Sequence, residues 1–177
     1  LLPSDVESSP FIKRRVAATR AFRSASKAAS TRRFAETPHL FCQIAQPTSG
    51  DILVVPGVSS ERRRYVPMAI VSATTIVSNL ALLVPNAGLF VFGVMTSEMH
   101  MAWMRRLAGR LKSDYRYSKD VVYNNFPWPE NPTDAQKSKV ESAAQAVLDS
   151  RQVYLDQSQT LADLYDPLSM PADLLKA

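Results

Sequence analysis

Two short stretches of the sequence concentrate side chains that could bind an anion. The first runs from Ser59 to Tyr65 and contains Glu61 followed by three consecutive arginines. Neighbouring residues of an extended chain point to opposite sides, so at least one of these guanidinium groups must face solvent. A guanidinium donates two parallel hydrogen bonds to a phosphate or a guanine edge, and a carboxylate accepts from a cytosine amino group. A solvated charged turn is the alternative interpretation. The candidate binding residues here are Ser59, Ser60, Glu61, Arg62, Arg63 and Arg64.

The second stretch, Arg110–Ser118, alternates cations, hydroxyls and aromatics without a helical hydrophobic face. This pattern is typical of a loop that follows a phosphate backbone. Tyr115 and Tyr117 could also alternate onto one face of an edge strand, and the two interpretations are compatible. The candidate binding residues are Arg110, Lys112, Ser113, Tyr115, Arg116 and Ser118, with the pair Arg32 and Arg33 as further cations nearer the amino terminus.

Residue types that support catalysis or metal binding are scarce. The five glycines are too dispersed for a Rossmann fingerprint or a phosphate loop. His39, His100 and the single Cys42 lack the spacing of zinc ligands. A nucleophile and base pair of Cys42 with His39 would point to opposite sides of a strand, so a buried thiol is favoured. His100 lies in a methionine-rich segment, which indicates a hydrogen-bonded packing residue. The sequence predicts no catalytic, cofactor or metal site in this chain.

Composition and charge narrow the function classes further. The 177 residues, 46% of them hydrophobic, suffice for one domain with an appendage and exclude wholesale disorder or a collagen-like fibre. No apolar run reaches the roughly 18 residues of a membrane span, and the single cysteine favours the cytoplasm. The chain begins with Leu1 and is expected to be part of a longer protein. Residues 1–120 carry 17 Lys and Arg against 8 Asp and Glu, a net charge of +9, whereas residues 121–177 carry −4. A polyanion would therefore bind the first part.

The hydrophobic pattern predicts helices at both ends of the chain and strands between them. This order indicates an α+β fold with an N-terminal helix, a small, mostly antiparallel sheet with a central apolar helix, and a C-terminal helical tail. The predicted strands are Leu40–Ile44, Asp51–Val55, Tyr65–Ile70 and Thr74–Val84, and the predicted helices are Phe11–Phe34 with a break near Ser30, Leu89–Leu107, Asp134–Leu155 and short pieces within Leu161–Lys176.

A stiff junction is predicted at Pro127, Pro129 and Pro132, which divides the chain into domains 1–129 and 130–177. Phe126 and Trp128 beside these prolines are expected to pack rather than to bind. The tail is expected to pack on the first domain through Val140, Val147, Leu148 and Leu155, and Met95, Met99, Met101 and Met104 are expected to fill the core.

Three parts of the sequence together resemble a known family. The first is the run Phe92–Trp103, continued through Gly109–Ser118 to Tyr123–Pro129, and the others are Val58–Pro67 and Leu164–Pro171. They resemble the target-recognition region and C-terminal helical region of type IIL, MmeI-like restriction-modification enzymes and adenine-specific DNA methyltransferases. The resemblance extends over most of the chain from about Phe11 onward.

The resemblance implies a larger protein with an amino-terminal nuclease and a central, S-adenosylmethionine-dependent adenine methyltransferase. The expected partners of this chain are double-stranded DNA and the methyltransferase domain of the same parent chain. The Asn-Pro-Pro-aromatic tetrapeptide of such methyltransferases is missing here, because Asn131-Pro132 is followed by Thr133. We therefore expect S-adenosylmethionine and any methylation or cleavage to belong to the rest of the parent.

The two cationic stretches receive different expected roles in this framework. Phosphate contacts fix the register on the duplex, and base-edge contacts choose the sequence. We assign phosphates to Arg110, Lys112, Arg116 and the Arg32-Arg33 pair, and base edges to Glu61 and Arg62–Arg64. A protein-docking module that uses the helical tail is the alternative and predicts no DNA affinity. An RNA-binding domain is disfavoured, because most aromatics lie in predicted helices or beside prolines.

Overall fold

The protein folds as two compact units, residues 1–45 and 46–177. The structure is a computed structural model that describes residues 3–42 and 45–177. The first unit is helical, with α1 (Pro3–Glu7), α2 (Pro10–Ser24), α3 (Ala29–Arg32) and a 3-10 turn at Arg33–Ala35. Pro10 opens α2, where its fixed φ suits the helix and its missing N–H costs nothing.

Arg23 organises the first unit by donating hydrogen bonds to the carbonyls of Phe34 (2.9 Å), Thr37 (3.0 Å) and Leu40 (2.9 Å). Three wrong predictions concern this unit. The helix breaks at residues 25–28, and Ser30 lies inside α3. Residues 40–42 form no strand, since the Leu40 carbonyl is bound to Arg23 rather than to a ladder partner; Gln43 and Ile44 lie outside the described residues. Cys42 is exposed rather than buried.

The second unit, residues 46–177, is described throughout and contains two three-stranded antiparallel sheets. The larger sheet has the order β3-β1-β4 and the smaller sheet the order β2-β6-β5. The strands are β1 (Asp51–Pro56), β2 (Val58–Ser59), β3 (Ala69–Ser72), β4 (Ala81–Pro85), β5 (Gly109–Leu111) and β6 (Asp114–Arg116).

The predicted strand at Asp51 is confirmed, but the next two are shorter and shifted. Residues 65–68 do not join the larger sheet: Pro67 has no N–H to donate, and the N–H of Val66 points to the sulfur of Met101 at 3.4 Å. Residues 74–80 form turns, in which the N–H of Ala81 binds the carbonyl of Ser78 at 3.0 Å. The strand was predicted there because the loop contains hydrophobic and β-branched residues, a composition typical of strands.

The helices of the second unit are α4 (Leu89–Thr96), α5 (Glu98–Leu107), α6 (Asp134–Leu155), α7 (Leu161–Leu164) and α8 (Ala172–Lys176), with a π-helical turn at Lys119–Tyr123. The single helix predicted over Leu89–Leu107 is therefore two helices. Ser97 is extended, with φ −64° and ψ 154°, and its Oγ accepts a hydrogen bond from the N–H of His100 at 3.2 Å. This N-cap starts a new helix where the hydrophobic periodicity continues unbroken. None of the helices in the described residues is long and apolar enough to cross a bilayer.

The core of the second unit lies between β1, α4 and α5. Leu53, Phe92 and Met95 are fully buried there, and Met101 and Met104 complete the predicted methionine packing. The prediction is wrong for Met99, which is 66% exposed. The packing predicted for the aromatics is confirmed: Phe126 is buried, and the indole of Trp128 donates to the carbonyl of Tyr123 at 3.2 Å.

The C-terminal helices pack on this core, as predicted. A capping box of Thr133 and Gln136 opens α6. Gly93 lets α4 approach α6 closely, since a Cβ at Gly93 would lie 2.8 Å from Cγ1 of Val140. Val147 and Leu148 pack against the main core, and Leu155 packs on a second cluster around Leu164, Tyr165 and Leu174. The predicted α+β architecture is confirmed.

Candidate nucleic-acid interface

The smaller sheet brings the two cationic stretches together, although about 50 residues separate them in sequence. Ser59 of β2 lies opposite Tyr115 of β6, and Tyr115 also lies opposite Arg110 of β5. Directly opposed residues of neighbouring antiparallel strands point to the same face. Ser59, Tyr115 and Arg110 therefore form one row across a single face of this sheet.

The hairpin of β5 and β6 carries cations at its tip and on both faces. Lys112 and Ser113 form the two-residue connection, and Lys112 adopts the left-handed region with φ 56°. Arg116 lies opposite Val58 and Gly109, so it belongs to the face that Arg110 does not share. The second cationic stretch is thus a ribbon edged with positive charge rather than the loop that its pattern suggested.

Arg110 links the two stretches directly. Its NH1 lies 3.4 Å from Oε2 of Glu61 and donates to the carbonyl of Ser113 at 2.7 Å. Its guanidinium carbon lies 3.9 Å from the centre of the Tyr115 ring. The side chains of Arg110 and Glu61 are 45% and 48% exposed, so this ion pair is of the surface kind that contributes at most about 1 kcal/mol. Its effect is to hold the hairpin beside the Glu61 turn.

Arg64 is held by helix α5. Its NH2 lies 2.8 Å from Oε1 of Glu98, and this hydrogen bond raises the pKa of the Arg64 guanidinium above its already high value. Arg105 of the same helix donates to the carbonyl of Arg64 at 2.9 Å. Sequence reasoning missed both Glu98 and Arg105, because contacts between segments more than 30 residues apart leave no local signal.

Other cations at this surface remain available. Arg62, Lys112 and Arg116 are exposed, and no partner of their charged groups is found within residues 3–42 and 45–177. The Nε atom of Arg63 and the Oγ atom of Ser59 are buried without a hydrogen-bond partner in the described part of the chain. Buried polar atoms are nearly always paired, so these two atoms mark a place where a further partner would be stabilising.

The remaining serine candidates, Ser60 and Ser118, take part in local turns. The Ser60 carbonyl accepts from the N–H of Arg63 at 3.1 Å, and its Oγ accepts from the N–H of Arg62 at 3.3 Å, which forms the turn after β2. The Ser118 carbonyl accepts from Val122 at 2.8 Å and begins the π-helical turn.

Arg32 and Arg33 lie in the first unit. Arg32 donates to the carbonyls of Ser26 (2.9 Å) and Lys27 (2.8 Å), and the guanidinium of Arg33 lies 4.8 Å from the centre of the Phe34 ring. Arg32 therefore has a structural role in its own unit.

His100 is a packing residue, as predicted. It is fully buried, its Nε2 lies 2.9 Å from the hydroxyl of Tyr117, and its ring meets Phe126 edge-on at 4.6 Å. Burial lowers the pKa of His100 to about 4 and raises the pKa of Tyr117. The imidazole is neutral near pH 7 and faces no open cleft. The described residues contain no cluster of three or more His, Cys, Asp or Glu side chains that could hold a metal ion.

The family model of the MmeI target recognition domain matches residues 2–130, and that of the MmeI C-terminal domain matches residues 132–177. The chain belongs to the MmeI family. It is 41% identical to DNA methyltransferase A of Bacillus subtilis (strain 168) over 169 residues. These aligned residues make up 96% of this chain and 19% of that protein. It is also similar to the type IIL restriction-modification enzyme MmeI, solved in complex with DNA, with a TM-score of 0.90 and 42% identity over 98% of this chain and 23% of that one. The chain thus spans about a fifth of the length of each relative.

Proposed function

We propose that this chain recognises a specific sequence in double-stranded DNA as part of a type IIL DNA methyltransferase or restriction enzyme. It positions the duplex for adenine N6 methylation by a methyltransferase domain of the same parent chain. The observation that carries this proposal is the pairing of β2 with β6, which joins the Glu61–Arg64 turn to the cationic hairpin. The solved MmeI complex with DNA supports duplex DNA as the partner.

The hairpin of β5 and β6 has the shape and charge for a DNA groove. The major groove of B-DNA admits a two-stranded ribbon and has phosphates along both walls. Lys112 at the tip and Arg116 on one face are free to meet these phosphates. Arg110, on the other face, can also contact a phosphate while it keeps its ion pair with Glu61. Arg62 and Arg63 project from the neighbouring turn, where their guanidinium groups serve as the base-edge readers.

The described residues around Asn131 do not form the adenine-holding tetrapeptide that the resemblance implies for the parent methyltransferase. Asn131 and Pro132 have the first two residue types of the adenine-holding tetrapeptide, but Thr133 follows them and caps α6 through its Oγ1, which accepts from the N–H of Gln136 at 3.3 Å. This Asn-Pro pair is the entry to a helix. The cofactor and the methyl transfer therefore belong, in this proposal, to the remainder of the parent protein.

Binding of the chain to duplex DNA over a salt series tests the proposal. We expect weak, non-specific affinity in the micromolar range or weaker at physiological salt, which falls as salt rises. Single-stranded DNA and RNA of the same length should bind less tightly. Lys137, exposed on α6 within the net negative residues 121–177, provides a matched control, because its replacement by Glu changes the charge by the same amount as Arg116→Glu. Absence of binding at low salt would favour the protein-docking alternative.

A segment exchange tests sequence recognition. Residues 1–177 would replace the matching segment of DNA methyltransferase A, and the methylated sites in cells would be sequenced. We expect the exchanged enzyme to methylate the site of this chain's own parent protein. An active exchanged enzyme that retains the original site would refute the assignment of sequence recognition to this chain.

A further inference from the structure

A buried arginine connects the C-terminal helix α6 to the segment that follows the arginine run. Arg151 is only 2% exposed. Its NH1 donates to the carbonyl of Met68 at 2.8 Å, and its Nε donates to the hydroxyl of Tyr165 at 2.8 Å, with NH2 directed at the same hydroxyl. The guanidinium carbon lies 5.1 Å from the centre of the Phe92 ring and 4.9 Å from that of Tyr165.

Burial of an arginine is an unfavourable way to fill space in a core. No carboxylate within residues 3–42 and 45–177 forms a salt bridge with Arg151. A buried cation loses its hydration, and well-packed hydrophobic residues of similar volume are often as stable or more so. What an arginine adds is directional hydrogen bonds. Here one of these hydrogen bonds fixes the carbonyl of Met68, four residues after Arg64.

Met68 ends a short segment that begins at Arg64, the last residue of the arginine run. Helix α5 holds this segment from one end, through Arg105 at the carbonyl of Arg64 and through Met101 at the N–H of Val66. Helix α6 holds it from the other end, through Arg151 at the carbonyl of Met68. Residues 64–68 are thus fixed at three backbone atoms without belonging to a strand, and they directly follow Arg62 and Arg63 in the chain.

We infer that Arg151 is a positioning residue for sequence recognition: by fixing the carbonyl of Met68, it sets the path of residues 64–68 and hence the aim of Arg62 and Arg63. The inference rests on the proposed function. It gives the C-terminal helical region a part in discrimination between DNA sequences, although Arg151 itself is buried and touches no DNA.

The test compares affinities of the parent enzyme for its own site and for sites with one altered base pair. The variants are Arg151→Met, Arg151→Lys and Tyr165→Phe. Leu148→Ala is the control, because Leu148 packs α6 against the core and lines a cavity with Ala69 and Ile70 rather than with residues 64–68. We expect Arg151→Met to lower the ratio of the two affinities about tenfold, comparable to the loss of one base contact. Tyr165→Phe should lower it less, Arg151→Lys should retain part of it, and Leu148→Ala should leave it unchanged.

Each outcome decides the matter. If Arg151→Met fails to fold, Tyr165→Phe replaces it, because that change removes a single oxygen that holds the guanidinium. Unchanged ratios in the Arg151 and Tyr165 variants, or an equal fall in Leu148→Ala, would show that Arg151 only stabilises the fold. A wild-type parent that methylates DNA without discriminating between sites would overturn the proposed function, and with it this inference.

Discussion

Replacing Lys112 by Ala should weaken binding to every DNA sequence and reduce the salt dependence of binding. Lys112 stands at the tip of the hairpin, is exposed and has no ion pair in the described residues, so its ammonium is free to contact a phosphate. Each phosphate contact adds about 0.9 to the slope of log affinity against log salt. Between 50 and 200 mM salt, the affinity of the wild type should therefore fall about 3.5-fold more than the affinity of the variant.

The assay is a titration of fluorescent duplex DNA at several salt concentrations, made with two unrelated sequences. Arg116→Ala should behave in the same way, whereas Lys137→Ala on α6, within the net negative residues 121–177, should leave the slope unchanged. The variant should lose the same factor with both sequences, since a phosphate contact carries no sequence information. A lower affinity with an unchanged slope, or a loss confined to one sequence, would refute the assignment of Lys112 to a phosphate.

Three further predictions concern single substitutions. Arg63→Ala in the parent enzyme should relax the base accepted at one position, with about 1–3 kcal/mol of discrimination lost, as measured by sequencing methylated sites. Gly93→Ala should lower the free energy of unfolding by about 1–2 kcal/mol despite the helix propensity of alanine, because the new Cβ would lie 2.8 Å from Val140 Cγ1; thermal unfolding measures this, and a stabilised variant would contradict it. His100 has its pKa lowered from 6.5 to about 4, so the unfolded chain binds a proton first and the free energy of unfolding should fall by about 3 kcal/mol as the pH drops through that window; in His100→Gln the pH dependence of urea unfolding should be flatter.

Elements with strong local signals could be predicted from the sequence. Helix α6 has a capping box and a long amphipathic pattern, and it occupies the predicted residues. Strand β1 lies between turn residues and was also predicted. The break between α4 and α5 was missed, because a single N-cap serine leaves the hydrophobic periodicity intact. The strand predicted over Thr74–Val84 was mostly wrong, because the exposed Ile76 and Leu80 gave a loop the composition of a strand.

The candidate site was predictable as residue types but not as an arrangement. Three arginines in succession are equivalent in the sequence. The structure gives Arg64 a carboxylate partner, buries Nε of Arg63 without a partner among the described residues, and exposes Arg62. The pairing of β2 with β6 depends on contacts between segments far apart in the chain, which local patterns do not encode. The assignment of individual residues to phosphates or bases stays a prediction.

The burial of Arg151 changes the charge that the C-terminal region presents to a polyanion. Residues 121–177 have four cationic side chains, and the structure places one of them in the interior. Lys137, Lys139 and Lys176 are then the surface cations that stand against eight carboxylates. Negative surface charges repel a negatively charged partner over about a Debye length. Because Arg151 is buried where it holds residues 64–68, the outer side of the C-terminal helices is more acidic. This favours approach of DNA from the side of the cationic hairpin.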